Sequence, residues 1–188
     1  MTPARRIGVL AGAFNPVTTA HLALIDAALS VVDEAVCVVP RAFPHKEFHG
    51  ASCEQRVQML VRAAGPYRVR TSAGGLFLDI ARDLRAEHPH AELHFICGRD
   101  AAERILGWDH REHGSIEQVL GEFQLLVAAR QGEFTPPDSL RHRIAPLAIP
   151  PDYDRHSSSE VRRRIAQGKP WEHLVPSGIV TLIREIYR

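Results

Sequence analysis

Two short polar segments, far apart in the chain, carry residue types suited to binding phosphate. The first follows an apolar run at residues 7–11 and combines Gly12 with two polar side chains, Thr18 and His21, where a helical pattern begins. A strand that turns tightly into a helix exposes backbone N–H groups at the positive end of the helix dipole, which favours a bound phosphate. Taken alone, His21 is equally well explained as a helix cap, so both interpretations stay open.

The second segment, Ser157-Ser-Ser-Glu-Val-Arg162, is typical of a helix start. Ser157 and Glu160 fit a capping box, which places Ser158 and Ser159 in the first turn with unpartnered N–H groups and with hydroxyls expected to point outward. Arg162 follows about one turn later. The segment therefore predicts an anion site. The simpler alternative is an ordinary capped helix with solvated arginines.

Strand and helix patterns alternate along the chain and must position these two segments. Apolar runs predict strands over residues 7–11, 35–40, 67–71, 92–97 and 123–128, with a weaker sixth over 144–149. Helical patterns cover residues 21–29, 52–64, 77–84, 99–106, 157–167 and 177–187, with a further helix beginning at Ser115. This order predicts a single α/β domain over residues 1–188, built on a Rossmann-like, doubly wound and mostly parallel sheet.

Other candidate residues fall where the predicted strands end. Lys46 follows the second strand, Gly98 and Asp100 follow the fourth, and Arg130 follows the fifth. In open parallel sheets, ligands bind outside the carboxyl ends of the strands. We therefore expect these residues to gather near the loop that follows the first strand.

Composition narrows the choice of partners. The chain of 188 residues has a net charge of +1, which gives no electrostatic case for nucleic acid or a membrane surface. No apolar stretch approaches the roughly 18 residues of a membrane span. The three cysteines, Cys37, Cys53 and Cys97, lack metal-ligand spacing and suit a reducing compartment. We expect a cytoplasmic protein without its own metal site; a homo-oligomer is compatible with the sequence.

Several common nucleotide and acyl-transfer motifs are absent from the sequence. No G-x-G-x-x-G follows the first strand, which argues against an ordinary dinucleotide-binding dehydrogenase. A G-x-x-x-x-G-K-[ST] loop is also missing, which excludes a standard P-loop kinase. Without a G-x-S-x-G elbow, acyl transfer of the α/β-hydrolase kind is not indicated.

Together, the two segments resemble the nucleotidyltransferase superfamily. Gly12-Ala-Phe-Asn-Pro-Val-Thr-Thr-Ala-His21 is similar to its G-x-F-[DN]-P-x-[HT]-x-x-H motif, and Ser157–Arg162 to its S-S-T-x-[IV]-R motif. Within the superfamily the chain resembles the nicotinate/nicotinamide mononucleotide adenylyltransferases of the bacterial nicotinate-nucleotide type. The ordered matches also include Val38-Val-Pro…Pro-His-Lys46, Arg56 with Met59-Leu60, Phe95-Ile-Cys-Gly-Arg-Asp100 with Trp108, Arg130-Gln-Gly132, and Gly168-Lys-Pro…Leu174-Val-Pro…Tyr187.

The resemblance implies that ATP and a pyridine mononucleotide, nicotinate mononucleotide, are joined into deamido-NAD with release of pyrophosphate, and that Mg²⁺ arrives with ATP. It implies catalytic roles for Thr18, His21, Lys46 and Arg162. It implies ATP contacts for Gly12, Ala13, Phe14, His21, Gly98, Asp100, Ser158, Ser159 and Arg162. Contacts with the mononucleotide are implied for Asn15, Lys46, Trp108 and Arg130. The C-terminal part, about residues 157–188, is expected to complete the ATP site.

The chain also departs from the bacterial pattern. Thr18 stands where histidine is usual, Ala20 where glycine is usual, and only Asp79 remains of a segment that helps recognise the pyridine substituent. Three alternatives therefore stay open: a nicotinamide mononucleotide acceptor, a pantetheine-phosphate adenylyltransferase, and a non-catalytic nucleotide-binding sensor. The Gly98-Arg-Asp100 segment argues against the second, and the retention of His21 with Arg162 argues against the third.

Overall fold

The computed structural model describes residues 4–43, 50–107, 114–128, 134–153 and 155–187. Within these residues six strands form one sheet: β1 Arg6–Ala11, β2 Glu34–Pro40, β3 Arg68–Ser72, β4 Glu92–Gly98, β5 Gln124–Ala128 and β6 Ile144–Pro146. The α-helices are α1 Thr19–Ala28, α2 Cys53–Ala63, α3 Phe77–Glu87, α4 Arg99–Gly107, α5 Ile116–Glu122, α6 Ser158–Ala166 and α7 Val180–Ile186. Short 3₁₀ helices lie at Asp138–Leu140, Pro151–Tyr153, Glu172–Leu174 and Ser177–Ile179.

The strands run in the order β3-β2-β1-β4-β5-β6, and every neighbouring pair is parallel. The predicted doubly wound α/β fold is therefore confirmed, and the sheet is entirely rather than mostly parallel. Helical crossovers account for this, because a parallel pair needs a connection long enough to return to the same end of the sheet.

Alternate residues along the strands face two separate cores. On one face, Leu10, Cys37 and Ile96 pack with residues of α1, α2, α6 and the C-terminal segment. On the other face, Val9 and Phe95 belong to the core built with α3 and α5. Burial on both faces explains why the central strands read as continuous apolar runs.

The sixth strand is shorter than the predicted run over residues 144–149. It pairs with β5 over three residues only, from Ile144 to Pro146. Pro146 has no N–H group to add to a ladder, and such residues are tolerated at the edge of a sheet, where β6 lies. The C-terminal helical pattern is likewise divided, since a 3₁₀ turn at Ser177–Ile179 precedes α7.

Helix caps agree with the sequence in two of three cases. Ser52 and Ser115 each form a complete capping box with the residue three positions later. At α6, Ser157 Oγ accepts from the N–H of Glu160 at 3.1 Å, but the Glu160 carboxylate binds Arg163 and Arg164 instead of the cap. The predicted box is therefore wrong in its second half, because two adjacent guanidinium groups compete for that carboxylate.

The buried histidine of β4 gives the fold a dependence on pH. His94 is 8% exposed, and burial lowers its pKa below the ordinary value of 6.5. As the pH falls below that ordinary value, the unfolded chain binds a proton that the folded chain excludes, so the free energy of unfolding decreases until the pH has also passed the lowered pKa.

In wild type, the urea concentration at the midpoint of unfolding should decrease as the pH is lowered from about 7 to about 5. In His94→Gln this decrease should be smaller, because the glutamine does not bind a proton. The same substitution at the exposed His90 is the matched control. A wild-type pH dependence in His94→Gln would contradict this assignment.

Candidate active site

The β1–α1 loop, residues 12–18, lies where the direction of the sheet reverses. From β1 the chain first moves outward through β2 to β3, and it then returns to place β4 on the other side of β1. Ligands bind beside such a switch point, at the carboxyl ends of the strands. The same edge holds the start of α4, with Gly98 and Asp100.

The β1–α1 loop has a compact and largely buried backbone. The Gly12 N–H donates to the Val38 carbonyl at 3.1 Å, and the Asn15–Pro16 peptide bond is cis. Phe14 has a φ of 47°, in the left-handed region that a non-glycine residue seldom adopts, and its ring is 1% exposed. The buried ring thus holds in place a turn that its backbone alone disfavours.

Thr18 and His21 form a closed unit at the start of α1. The Thr18 N–H lies 3.0 Å from His21 Nδ1, and the Thr18 hydroxyl lies 2.8 Å from the same atom. A backbone N–H can only donate, so Nδ1 accepts, and the neutral imidazole carries its proton on Nε2. His21 therefore caps its helix through Nδ1 and carries its N–H donor on Nε2. Its predicted contact with phosphate stays a prediction.

A buried arginine from α2 supports the first part of the loop. Arg56 is 2% exposed, and its guanidinium donates to the carbonyls of Ala13 and Pro40, each at 3.1 Å. It also lies 5.5 Å from the ring centre of Phe43. Burial lowers the pKa of this guanidinium. Arg56 thus places a cation behind the loop and ties its backbone to the end of β2.

The first turn of α6 docks directly on the second part of the loop. The Ser158 hydroxyl donates to the Pro16 carbonyl at 2.7 Å, and Arg162 Nη1 donates to the Asn15 carbonyl. The second guanidinium nitrogen of Arg162 lies 3.3 Å from Ser159 Oγ. The two segments with phosphate-binding chemistry are therefore in contact, although the expectation that the Ser158 hydroxyl points outward is wrong.

Asn15 fastens the loop to the end of the chain. Its side chain is 4% exposed, and Oδ1 accepts from the N–H of Ala51 at 3.1 Å and from the hydroxyl of Tyr187. The structure thus gives Asn15 a role in holding the loop. Its predicted contact with a mononucleotide stays a prediction.

Gly98 and Asp100 lie at the neighbouring strand end. Among the described residues, a Cβ on Gly98 would meet no atom closer than the Ala128 carbonyl oxygen, at 4.0 Å, so a ligand could approach closely there. The Asp100 side chain is 90% exposed and lies 4.0 Å from Arg99 Nε. Its carboxylate is available to accept hydrogen bonds, as binding to ribose hydroxyls would require.

Three predicted site residues, Lys46, Trp108 and Arg130, lie outside the described residues. Within the described part of the chain, no group of three or more histidine, cysteine or acidic side chains is arranged to hold a metal ion. None of the helices described has the length and apolar character needed to cross a membrane.

Sequence reasoning missed some of the residues that hold the site together. The motif matches include Arg56 and Tyr187, but they do not predict that these two side chains form hydrogen bonds to the β1–α1 loop. A buried cation that supports backbone carbonyls leaves no periodic signal in the sequence, because its partners come from other elements.

Comparison with known proteins identifies the family of the chain. Residues 9–164 match the model of the cytidylyltransferase-like family. The chain belongs to that family. The match starts within β1 and ends within α6, so it includes both segments that meet at the switch point.

Curated relatives match nearly the whole length of the chain. A protein of Clavibacter sepedonicus, described as a probable nicotinate-nucleotide adenylyltransferase, is 32% identical over 100% of this chain and 96% of its own length. A protein of Frankia alni with the same description is 35% identical over 95% of this chain and 98% of its own. The resemblance found in the sequence motifs is therefore confirmed.

Solved structures share the fold. Plasmodium falciparum nicotinic acid mononucleotide adenylyltransferase complexed with NaAD has a TM-score of 0.73 at 18% identity, over 96% of this chain and 95% of that one. The same protein complexed with APC has a TM-score of 0.68.

The support that Arg56 gives to the β1–α1 loop should be measurable as stability. Arg56→Met removes the donors to two carbonyls while filling much of the same space. We expect the free energy of unfolding to fall by about 3 kcal/mol, since charged hydrogen bonds contribute about 1.5–3 kcal/mol each. Urea denaturation measures this loss.

Arg62→Met, on the exposed face of α2, is the matched control for loss of a positive charge. An equal decrease in the free energy of unfolding in both variants would show that the hydrogen bonds to Ala13 and Pro40 do not account for the stabilisation by Arg56.

Proposed function

We propose that this chain transfers the adenylyl group of ATP to nicotinate mononucleotide, forming the deamido-NAD dinucleotide and pyrophosphate in NAD biosynthesis. The observation that carries the proposal is the docking of Ser158 and Arg162 on the β1–α1 loop, close in sequence to the Thr18–His21 unit. This arrangement gathers a neutral N–H donor, a guanidinium and a helix N-terminus around one loop.

The reaction is a single in-line displacement at phosphorus. A phosphate oxygen of the mononucleotide attacks the α-phosphorus of ATP and forms a new P–O bond. The bond from the α-phosphorus to the bridging oxygen breaks, and pyrophosphate leaves with that electron pair. Such a reaction needs alignment of two anions and neutralisation of the charge that develops on the leaving group.

His21 is assigned to the α-phosphate. The Nδ1 contacts with Thr18 hold the ring in the tautomer whose Nε2–H donates. A neutral donor can bind a non-bridging oxygen throughout the reaction without losing a proton. Thr18 therefore acts by orienting His21, and its hydroxyl and backbone N–H share that task.

Ser158, Ser159 and Arg162 are assigned to the β- and γ-phosphates. A guanidinium has five N–H donors, more than the contacts of Arg162 with Asn15 and Ser159 use. The first turn of α6 adds backbone N–H groups at the positive end of its dipole.

The remaining predicted contacts belong to the same proposal. Gly12, Ala13 and Phe14 offer backbone to the nucleotides, while Gly98 and Asp100 bind adenosine. Lys46 holds phosphate charge at the junction of the substrates, and Asn15, Trp108 and Arg130 contact the mononucleotide. Mg²⁺ enters as part of MgATP.

We further propose one domain over residues 1–188, with residues 157–188 completing the ATP site. The contacts of α6 and Tyr187 with the β1–α1 loop support this, because they join the C-terminal part to the sheet. Cytoplasmic location, small-molecule partners without nucleic acid, and compatibility with a homo-oligomer complete the proposal.

A panel of acceptors tests the reaction. Purified protein with MgATP should release pyrophosphate with nicotinate mononucleotide faster than with nicotinamide mononucleotide or phosphopantetheine. Release that is faster with either of those acceptors would replace the proposed substrate. Binding of ATP without release under any condition would identify a sensor instead.

His21→Ala should lower kcat by about 100-fold or more, because it removes the donor assigned to the α-phosphate. Initial rates of pyrophosphate release measure the effect, and thermal melting checks the fold. His90→Ala, at an exposed position remote in sequence, is the control for loss of an imidazole. Near-normal kcat in folded His21→Ala would remove His21 from the mechanism.

A further inference from the structure

A histidine that the proposed mechanism does not use connects the two phosphate-binding segments. His156 directly precedes Ser157, the N-cap of α6, and Thr19 is the first residue of α1. His156 Nδ1 lies 2.6 Å from Thr19 Oγ1, and both residues are half-buried. This contact links the starts of the two helices directly, whereas Ser158 and Arg162 attach α6 to the loop that precedes α1.

The direction of this hydrogen bond follows from a second contact of Thr19. Its hydroxyl donates to the Leu174 carbonyl at 3.2 Å. A carbonyl can only accept, so the single hydroxyl proton is used there. Thr19 Oγ1 therefore accepts from His156, whose proton lies on Nδ1, and one oxygen joins α1, the α6 start and the C-terminal segment.

An aromatic contact places the His156 ring. Tyr153 packs edge-on at 5.5 Å between ring centres and limits the position of the ring, while the bond to Thr19 sets its rotation. The ring of His173 is farther away, at 6.4 Å. The His156 side chain therefore has a fixed position between the starts of α1 and α6.

We propose that His156 is a positioning residue for the ATP triphosphate. It holds the first turn of α6 at a set distance from α1, so that Ser158 and Arg162 contact the β- and γ-phosphates while His21 contacts the α-phosphate. This inference rests on the proposed function. Loss of the hydrogen bond between His156 and Thr19 weakens binding of ATP and leaves binding of the acceptor mononucleotide unchanged.

The first experiment measures binding of a non-hydrolysable α,β-methylene ATP analogue with Mg²⁺ by calorimetry. His156→Leu removes the N–H donor at similar volume and should raise the Kd for the analogue about fivefold, the effect of one hydrogen bond. His156→Asn keeps an N–H near the position of Nδ1 and should restore a Kd close to wild type. The KM for the acceptor stays within about twofold of wild type in both.

His173→Leu is the matched control, because this exposed histidine lies beside His156 and has no hydrogen bond to α1 among the described contacts. It should leave the Kd for the analogue unchanged. A Kd for His156→Leu equal to that of His173→Leu overturns the inference. So does a failure of Asn to restore binding.

A double-mutant cycle tests the bond itself. Thr19→Val removes the hydroxyl, and once it is absent His156→Leu should add little to the Kd, since both changes break the bond between His156 and Thr19. The contact of Thr19 with Leu174 is lost in the single and the double variant alike, so it cancels in the cycle. Independent, additive effects overturn the inference. If His156→Leu does not fold, the Kd values of Thr19→Val and the hydroxyl-retaining Thr19→Ser decide the same point, equal values overturning it.

These measurements separate the inference from the proposed function. Binding of the analogue is measured without acceptor or turnover, so a weaker binding in His156→Leu is observable whether or not the wild type releases pyrophosphate. If the wild type releases none while His156→Leu weakens binding, the proposed reaction alone is overturned. Wild-type pyrophosphate release with an unchanged Kd in His156→Leu overturns the inference alone.

Discussion

The structure depends on how the carbonyl groups of one buried loop obtain hydrogen-bond partners. The loop between β1 and α1 is too irregular for its carbonyls to pair within a sheet or helix, and burying them without partners would be costly. Arg56 supplies donors to Ala13, Arg162 to Asn15 and Ser158 to Pro16. These donors come from α2 and α6, so satisfying the loop also assembles the site.

This solution has an electrostatic consequence. Two of the three donors are guanidinium groups, and both direct positive charge toward a loop whose chemistry is suited to anions. Arg56 is buried behind the loop, whereas Arg162 lies about one turn into α6, beside Ser159. The inner cation, Arg56, stabilises the backbone of the loop, whereas the outer one, Arg162, is the cation that the proposed function assigns to phosphate. One set of interactions thus supports both the fold and the proposed binding of ATP.

The C-terminal segment completes the same arrangement from a third direction. Tyr187 reaches the Asn15 side chain, and the Leu174 carbonyl accepts from Thr19. Residues from the N-terminal and C-terminal parts of the chain therefore meet at the carboxyl ends of the strands. This closure explains why α6 and α7 pack with α1 and α2 in one core rather than forming a separate unit.

The sequence by itself determined the α/β order, the parallel sheet and the family. Apolar runs and helical periodicity depend on local burial, and the motif residues Gly12, His21 and Arg162 keep a recognisable spacing. Tertiary structure decided what those residues touch: the Ser158 hydroxyl turns inward, Glu160 leaves its cap for two arginines, and His21 is both cap and donor. Spacing records position along the chain, whereas a hydrogen-bond partner is set by which distant element packs nearby, and only the folded chain specifies that.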